Sequence, residues 1–121
     1  MMNLLIINKD IDTANLLKFQ LEKNNFIVTH IENSDKAIEI CQNYLFDVIV
    51  FDFDEKENLD VNIFEKLKET NPEIIIILTV EFGSADAAIK ACKKGPDDYL
   101  AKPFGVEHLM FTIEKVKKPK N

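Results

Sequence analysis

The stretch "VIVFDFDEK", residues 48–56, is an apolar run that ends in two carboxylates, Asp52 and Asp54, separated by one phenylalanine. A short run without polar residues is typical of a strand that is buried on both faces of a parallel sheet. Such a strand would deliver both carboxylates to an edge of the sheet. A carboxylate in that position can act as a nucleophile toward phosphorus and form an acyl phosphate.

Apolar blocks alternate with helical patterns on both sides of this stretch. The predicted strands are 4–7, 26–31, 47–51, 73–79 and 98–101, and the predicted helices are 13–25, 34–41, 60–70, 84–95 and 106–118. Asp12 and Ser84 are the expected helix starts, and Gly95 is expected just past a helix end. Strands that alternate with helices predict an α/β fold, a doubly wound (βα)5 domain with a five-stranded parallel sheet in the order 2-1-3-4-5 and helices on both faces. Residues 1–121 would form this one domain, with 116–121 as a linker stub or tail.

Polar residues follow the predicted strands at the edge where doubly wound sheets bind ligands. They are Asn8, Lys9 and Asp10 after strand 1, Asp52 and Asp54 after strand 3, Thr79 at the end of strand 4, and Lys102 after strand 5. A carboxylate can carry a phosphoryl group, and nearby ammonium and hydroxyl groups supply part of the neutralisation and positioning that its transfer needs. We therefore expect a functional site here, in preference to a merely solvated rim.

Composition excludes several other classes of function. The net charge of −6 argues against direct binding of nucleic acid, which needs a basic surface. The longest apolar run is far shorter than the roughly 20 residues that cross a bilayer, and the N-terminus does not resemble a signal peptide, so we expect a cytoplasmic protein without membrane contact. No Walker loop or GxGxxG motif supports nucleotide binding. Cys41 and Cys92 have no metal-type spacing and are expected to be buried free thiols.

The segment "VFDFDEK" resembles the nucleophile motif of haloacid-dehalogenase-type phosphatases. In that family Asp52 would attack and Asp54 would act as the acid or base. However, the motif normally closes the first strand and continues with glycine, whereas here it closes the third strand and continues with Glu55 and Lys56.

A second resemblance covers residues 3–117. The segment "GPDDYLAKPF" (95–104) is similar to the "GADDYLxKPF" pattern of response-regulator receiver domains, and "DVIVFD" (47–52) and "IIIILT" (74–79) match two strands of that family. The resemblance implies a flavodoxin-like fold and a phosphorylated switch of two-component signalling that is not a turnover enzyme. It implies a histidine kinase or phosphotransfer protein as donor, and an output domain or partner protein as receiver of the signal. It also allows a homodimer through helix 4, strand 5 and helix 5.

The resemblance implies a role for five residues. Asp52 would accept the phosphoryl group, Lys102 would pair with it, and Thr79 would hydrogen-bond to it and move on activation. Tyr99 would change rotamer with that movement, although it could also be an ordinary aromatic at the edge of the core. The bond before Pro103 would be cis, although this proline could also serve only to break the chain.

The sequence departs from the family pattern mostly at the active edge. The departures are Asn8 and Lys9 in place of two acids that hold Mg²⁺, Lys56 in place of proline, Asp60 in place of glycine, and Val80, which would crowd the phosphoryl group, in place of a small residue. Asp10, Asp52 and Asp54 remain as ligands for Mg²⁺, but the loss of the usual acids argues against the metal. Lys9 could lie beside Asp52 and oppose metal binding, or it could point to solvent. The chain could accordingly be a working switch or a degenerate receiver that binds partners without phosphorylation.

Overall fold

Five parallel strands form one sheet in a computed structural model that describes residues 1–57, 59–60, 62–92 and 94–117. The strands are β1 (Asn3–Ile7), β2 (Ile27–Ile31), β3 (Val48–Asp52), β4 (Ile75–Glu81) and β5 (Asp98–Lys102). The helices are α1 (Ile11–Glu22), α2 (Ala37–Asn43), α3 (Ile63–Thr70), α4 (Ala85–Ala91) and α5 (Val106–Val116). The strand order is β2-β1-β3-β4-β5, so the predicted fold class and topology are confirmed.

The sheet is apolar on both faces because its central strands alternate between two core clusters. In β3, Ile49 and Phe51 belong to the first cluster, and Val48 and Val50 belong to the second. Helices α2, α3 and α4 contribute to the first cluster, with Phe64 of α3 fully buried. Helices α1 and α5 contribute to the second cluster. Because the central strands β1, β3 and β4 are covered on both faces, their polar residues lie at the strand ends, and the carboxyl ends carry the charged residues.

Several element boundaries differ from the sequence-based prediction. Helix α1 begins at Ile11, and its N-cap is Asp10, not Asp12. The carboxylate of Asp10 lies before the first turn and accepts from the backbone of Thr13, whereas Asp12 lies inside that turn. Segment Ser34–Lys36 is a 3₁₀ turn that precedes α2, so the predicted helix at 34 begins as α-helix only at Ala37.

The third and fourth helices are shorter than predicted. Helix α3 begins at Ile63 because Asp60 forms a turn, in which its carboxylate accepts from the backbone N–H of Asn62. Helix α4 ends at Ala91, so Gly95, which has a φ of 113°, lies in the loop beyond and not directly at the helix end. Strand β4 continues two residues past Thr79, to Glu81.

Two further expectations concern the cysteines and the chain end. Cys41 and Cys92 are buried and free, as predicted, and burial raises the pKa of the Cys41 thiol to about 11. Most of the expected tail, 118–121, lies outside the described residues. Over the described ranges, no helix has the length and apolar character needed to cross a membrane.

Candidate functional site

Strands β3, β4 and β5 bring three predicted site residues into direct contact. The parallel register pairs Asp52 with Thr79, and Lys102 closes β5 on the other side of β4. Thr79 donates its Oγ1 hydrogen to Asp52 Oδ1 at 2.9 Å, and Lys102 Nζ donates to the same oxygen at 2.7 Å. We refer to Asp52, Thr79 and Lys102 as the Asp52 cluster.

The Asp52 cluster is largely withdrawn from solvent. The side chain of Asp52 is 17% exposed and that of Lys102 is 25% exposed, while Thr79 is buried. Burial acts to lower the pKa of the Lys102 ammonium, but the hydrogen bond and charge of Asp52, with a smaller contribution from Glu81, outweigh it and raise that pKa. Lys102 therefore stays charged and holds one oxygen of Asp52. Within the described part of the chain, Oδ2 of Asp52 receives no hydrogen bond.

Lys9 belongs to a separate group of charges. Its ammonium contacts the carboxylate of Glu57 and lies 3.6 Å from Asp54 Oδ2. We refer to Lys9, Asp54 and Glu57 as the Lys9 cluster. The ion-pair partners of Lys9 are thus these two acids and not Asp52, and its side chain is more than half exposed. The backbone N–H of Lys56, followed by the Lys9 charge, lowers the pKa of Asp54.

The side chains of Asn8 and Asp10 accept hydrogen bonds from residues close to them in sequence. The side-chain oxygen of Asn8 accepts from the backbone N–H of Asp10 at 2.9 Å. The carboxylate of Asp10 accepts from Thr13, through the backbone N–H at 3.3 Å and the hydroxyl at 2.9 Å. The hydroxyl bond and then the backbone bond lower the pKa of Asp10. Asp10 is therefore committed to capping α1.

These commitments decide whether Mg²⁺ fits the site. Mg²⁺ takes about six oxygen ligands in strict geometry, some of which are carboxylates. The structure does not bring Asp10, Asp52 and Asp54 together as a metal site, and no group of three or more acidic, histidine or cysteine side chains among the described residues could hold an ion. Each carboxylate already has partners in a different local structure, and Lys9 adds a positive charge beside Asp54. The residues present do not fit a divalent metal.

A cleft of about 170 Å³ is lined by Asp52 and by all three members of the Lys9 cluster. Its lining includes Asp52, Lys9, Asp54 and Glu57, together with Glu32, Asn33 and Ser34 from the β2–α2 connection. Since Asp52 lines this cleft, the cleft gives a small molecule or a phosphoryl donor a way to reach it.

Two members of the site were missed by the sequence-based prediction. Glu57 lies in an irregular loop, where only its charge opposite to Lys9 could have indicated the pairing. Glu81 lies opposite Lys102 in the strand register, and its carboxylate is 3.4 Å from Lys102 Nζ. Its place follows from Thr79, because residues two apart on a strand share a face.

The remaining predicted residues lie on β4 or β5, or directly after β5. Tyr99 packs against the first core cluster and donates its hydroxyl to the carbonyl of Cys92 at 2.6 Å, beyond the end of α4. Burial, and then the charge of the Cys92 thiolate form, raise the pKa of Tyr99. The Lys102–Pro103 bond is cis, as the resemblance implied. Val80 is packed in the first core cluster. Contrary to the prediction, its side chain therefore does not crowd the cleft.

Comparison with known proteins adds a family match. The family model described as "Response regulator receiver domain" matches residues 4–114. Among curated relatives, the transcriptional regulatory protein ZraR of Klebsiella oxytoca is 26% identical over 113 residues, which cover 93% of this chain and 26% of ZraR. The chain thus spans about a quarter of the length of that relative.

Solved structures agree with this match. A response regulator receiver domain protein from Clostridium thermocellum superposes with a TM-score of 0.82 at 24% identity, covering 96% of this chain and 94% of the other. At this identity the likeness concerns the fold alone. A response regulator protein from Burkholderia pseudomallei, with a phosphorylated aspartic acid, a calcium ion and citrate, is 26% identical with a TM-score of 0.80, covering 96% of this chain and 71% of the other.

Proposed function

The chain belongs to the response regulator receiver domain family of two-component signalling, and we propose that it is a switch that carries a phosphoryl group on Asp52. The family is a signalling module, and we propose that this chain is not a turnover enzyme. Residues 1–121 would act as one receiver domain in the cytoplasm.

The observation that carries this proposal is the unequal use of the two oxygens of Asp52. Oδ1 is held by Thr79 and Lys102, whereas Oδ2 receives no hydrogen bond from the described residues and belongs to a side chain that lines the cleft. A carboxylate with one oxygen fixed and the other available is oriented for nucleophilic attack. Asp54, in contrast, is tied to Lys56 and Lys9.

The proposed reaction is an in-line transfer. Oδ2 of Asp52 attacks the phosphorus atom of the donor, a new O–P bond forms, and the donor's leaving group departs with the electron pair of the broken bond. Lys102 and Thr79 then neutralise and hydrogen-bond the incoming oxygens, which is the main contribution that a protein makes to phosphoryl transfer. The donor would be the phosphohistidine of a histidine kinase or phosphotransfer protein, or a small acyl phosphate.

A route for the signal starts at Thr79. Strand β4 runs from Thr79 through Glu81 into the 3₁₀ turn Phe82–Ser84 and then into α4. If Thr79 moves toward the phosphoryl group, this segment follows. The Tyr99 bond to the Cys92 carbonyl, beyond the end of α4, must then adjust. We propose that the movements of Thr79 and Tyr99 together change the conformation of the face formed by α4, β5 and α5.

The proposed output face carries solvent-exposed apolar side chains. Phe82, Ile89 and Phe111 are exposed hydrophobic residues on or beside α4 and α5. Exposed apolar residues that cluster on one face suit a protein partner. An output domain, a partner protein or a second copy of the chain is the proposed occupant. With a net charge of −6, we propose no direct binding of nucleic acid.

Reaction with acetyl phosphate tests the proposal. Intact-mass spectrometry should detect one added phosphoryl group on the wild-type chain, and none on Asp52→Asn. Glu55→Gln is the control, because it removes an exposed carboxylate of the same segment and should leave the adduct unchanged. If the wild-type chain stays unmodified with and without Mg²⁺, the switch proposal fails, and the remaining reading is a receiver that binds partners without phosphorylation.

A further inference from the structure

We infer that Lys9 is the resident cation of this site: its ammonium moves from Glu57 and Asp54 to the phosphoryl group on Asp52 and makes the modification independent of divalent metal. This inference rests on the proposed phosphorylation of Asp52. It assigns roles to Lys9, the cation, and Glu57, which holds it in the resting state.

The place of Lys9 in the fold puts it within the same cleft as Asp52. Strand β1 pairs directly with β3, with Ile7 opposite Phe51, and each strand then delivers its next residues to the same edge. Lys9 is the second residue after β1, and it lines the cleft together with Asp52. A flexible four-carbon side chain at this position can reach either wall of a cleft of about 170 Å³.

The resting partners of Lys9 hold it loosely. Its side chain is 58% exposed, and those of Asp54 and Glu57 are 38% and 33% exposed. Exposed ion pairs contribute little and exchange readily, because water competes for both charges. The ion pairs of Lys9 in the cleft are therefore weak, and its ammonium can change partner.

Phosphorylation changes which partner is stronger. The phosphoryl group brings about −1.5 to −2 of charge near neutral pH and three acceptor oxygens. Glu57 offers a single negative charge at a more exposed position. Lys102 is already engaged with Oδ1 of Asp52 and with Glu81, so one cation does not neutralise the modified residue. Lys9 is a further cation that lines the cleft together with Asp52.

The same arrangement opposes a metal. The oxygens that would bind Mg²⁺ are used elsewhere: Asp10 caps α1, and Asp54 accepts from Lys56 and pairs with Lys9. A divalent ion would have to displace Lys9 from its acidic partners and then share the cleft with its positive charge. A lysine that replaces the metal satisfies the chemistry of transfer, which requires positive charge at the phosphoryl oxygens and not a particular element.

The test measures adduct formation with acetyl phosphate, in excess EDTA and in excess Mg²⁺, by intact mass over time. The wild-type chain should react in EDTA at a rate within about twofold of the rate in Mg²⁺, and Lys9→Gln should lower the EDTA rate roughly tenfold. Lys9→Arg, which keeps the charge, should retain most of the rate. Lys56→Gln removes an equal charge from an exposed lysine in the loop that carries Asp54 and Glu57, and it should have no effect.

Two further variants examine storage and metal exclusion. Glu57→Gln removes the competing partner, so the rate in EDTA should rise by about threefold. Lys9→Asp replaces the cation by an acid, so its reaction should become dependent on Mg²⁺. Far-UV circular dichroism and thermal unfolding check that each variant is folded. Because the side chains of Lys9 and Glu57 are partly exposed, we expect these substitutions to leave the fold intact.

The outcomes separate the two proposals. A wild-type adduct that forms only with Mg²⁺ overturns the role of Lys9 and leaves Asp52 as the phosphoacceptor. A Lys9→Gln rate in EDTA equal to that of wild type overturns the role of Lys9 in the same way, and an unchanged or slower Glu57→Gln overturns the storage role. The absence of any adduct, in every condition, refutes phosphorylation of Asp52 itself and the inference with it.

Discussion

The Asp52 cluster and the Lys9 cluster both pair lysine with carboxylate at one edge of the sheet, but they differ in burial and in how their partners are fixed. In the Asp52 cluster, strand register fixes the partners, the side chains are mostly buried, and one carboxylate oxygen receives two hydrogen bonds. In the Lys9 cluster, loop residues supply the partners, and the side chains are one third to more than one half exposed.

Because of this difference, the side chains of the Asp52 cluster are held in place, whereas those of the Lys9 cluster can change partner. A charge that is partly buried and shared within a hydrogen-bonded group is costly to remove, because its partner is then left unsatisfied. An exposed ion pair can be broken at little cost. The side that resembles the family pattern in sequence is thus the rigid side, and the side that departs from the pattern is the adjustable one.

The largest effect should come from removing the rigid cation. Lys102→Gln leaves Asp52 with Thr79 alone, and the rate of adduct formation should fall by roughly a hundredfold, as when one charge-stabilising donor is lost from an active site. Lys66→Gln is the matched control, since Lys66 forms an exposed ion pair with Asp60 at 3.0 Å, away from the cleft. If Lys102→Gln reduced the rate no more than Lys9→Gln does, the two clusters would not differ as described.

A second effect should come from the packing before β5, the strand that carries Lys102. Gly95 precedes β5 with a φ of 113°, and a Cβ atom at this position would overlap the side chain of Phe64 on α3. Gly95→Ala should lower the free energy of unfolding by about 2 kcal/mol, through backbone strain and overpacking.

The control for this prediction is Gly83→Ala. A Cβ at Gly83 meets nothing within 4 Å, so its effect on the free energy of unfolding should be small. Urea unfolding followed by circular dichroism measures both variants. Equal effects for the two substitutions would contradict the close packing behind β5.

The smallest effect concerns alkaline pH. The pKa of Lys102 is raised above its ordinary value of 10.5 in the folded state, so its contribution to stability is fully present below that value and is lost as pH rises through the folded-state pKa. The difference in unfolding free energy between wild type and Lys102→Gln should therefore stay constant below the ordinary value of 10.5 and narrow as the pH rises above it. Burial raises the pKa of Tyr99 and of both cysteines, and these groups are present in both proteins, so their effects largely cancel. A difference that stays constant with pH would show that the ion pair does not stabilise the fold.

Local sequence signals predicted the elements better than their ends. The apolar blocks identified all five strands, but the end of β4 depends on pairing with β5, which extends to the Glu81–Lys102 pair. The first helix was expected to be capped by Asp12, although Asp10 caps it, because both are aspartates at the start of the same apolar pattern. Only the direction of the chain leaving β1 distinguishes them.

By itself, the sequence determined the parallel sheet, its strand order, and the meeting of Asp52, Thr79 and Lys102. The parallel sheet follows from apolar runs that alternate with helical patterns, and right-handed crossovers limit the strand orders among which 2-1-3-4-5 was expected. Given that order, the three side chains meet because each lies at the end of its strand. The tertiary structure alone decided where Lys9 points and which acids it pairs with. Its partners lie in an irregular loop distant in sequence, and the choice between Asp52 and Glu57 depends on a balance of distance, exposure and competing hydrogen bonds that no local pattern encodes.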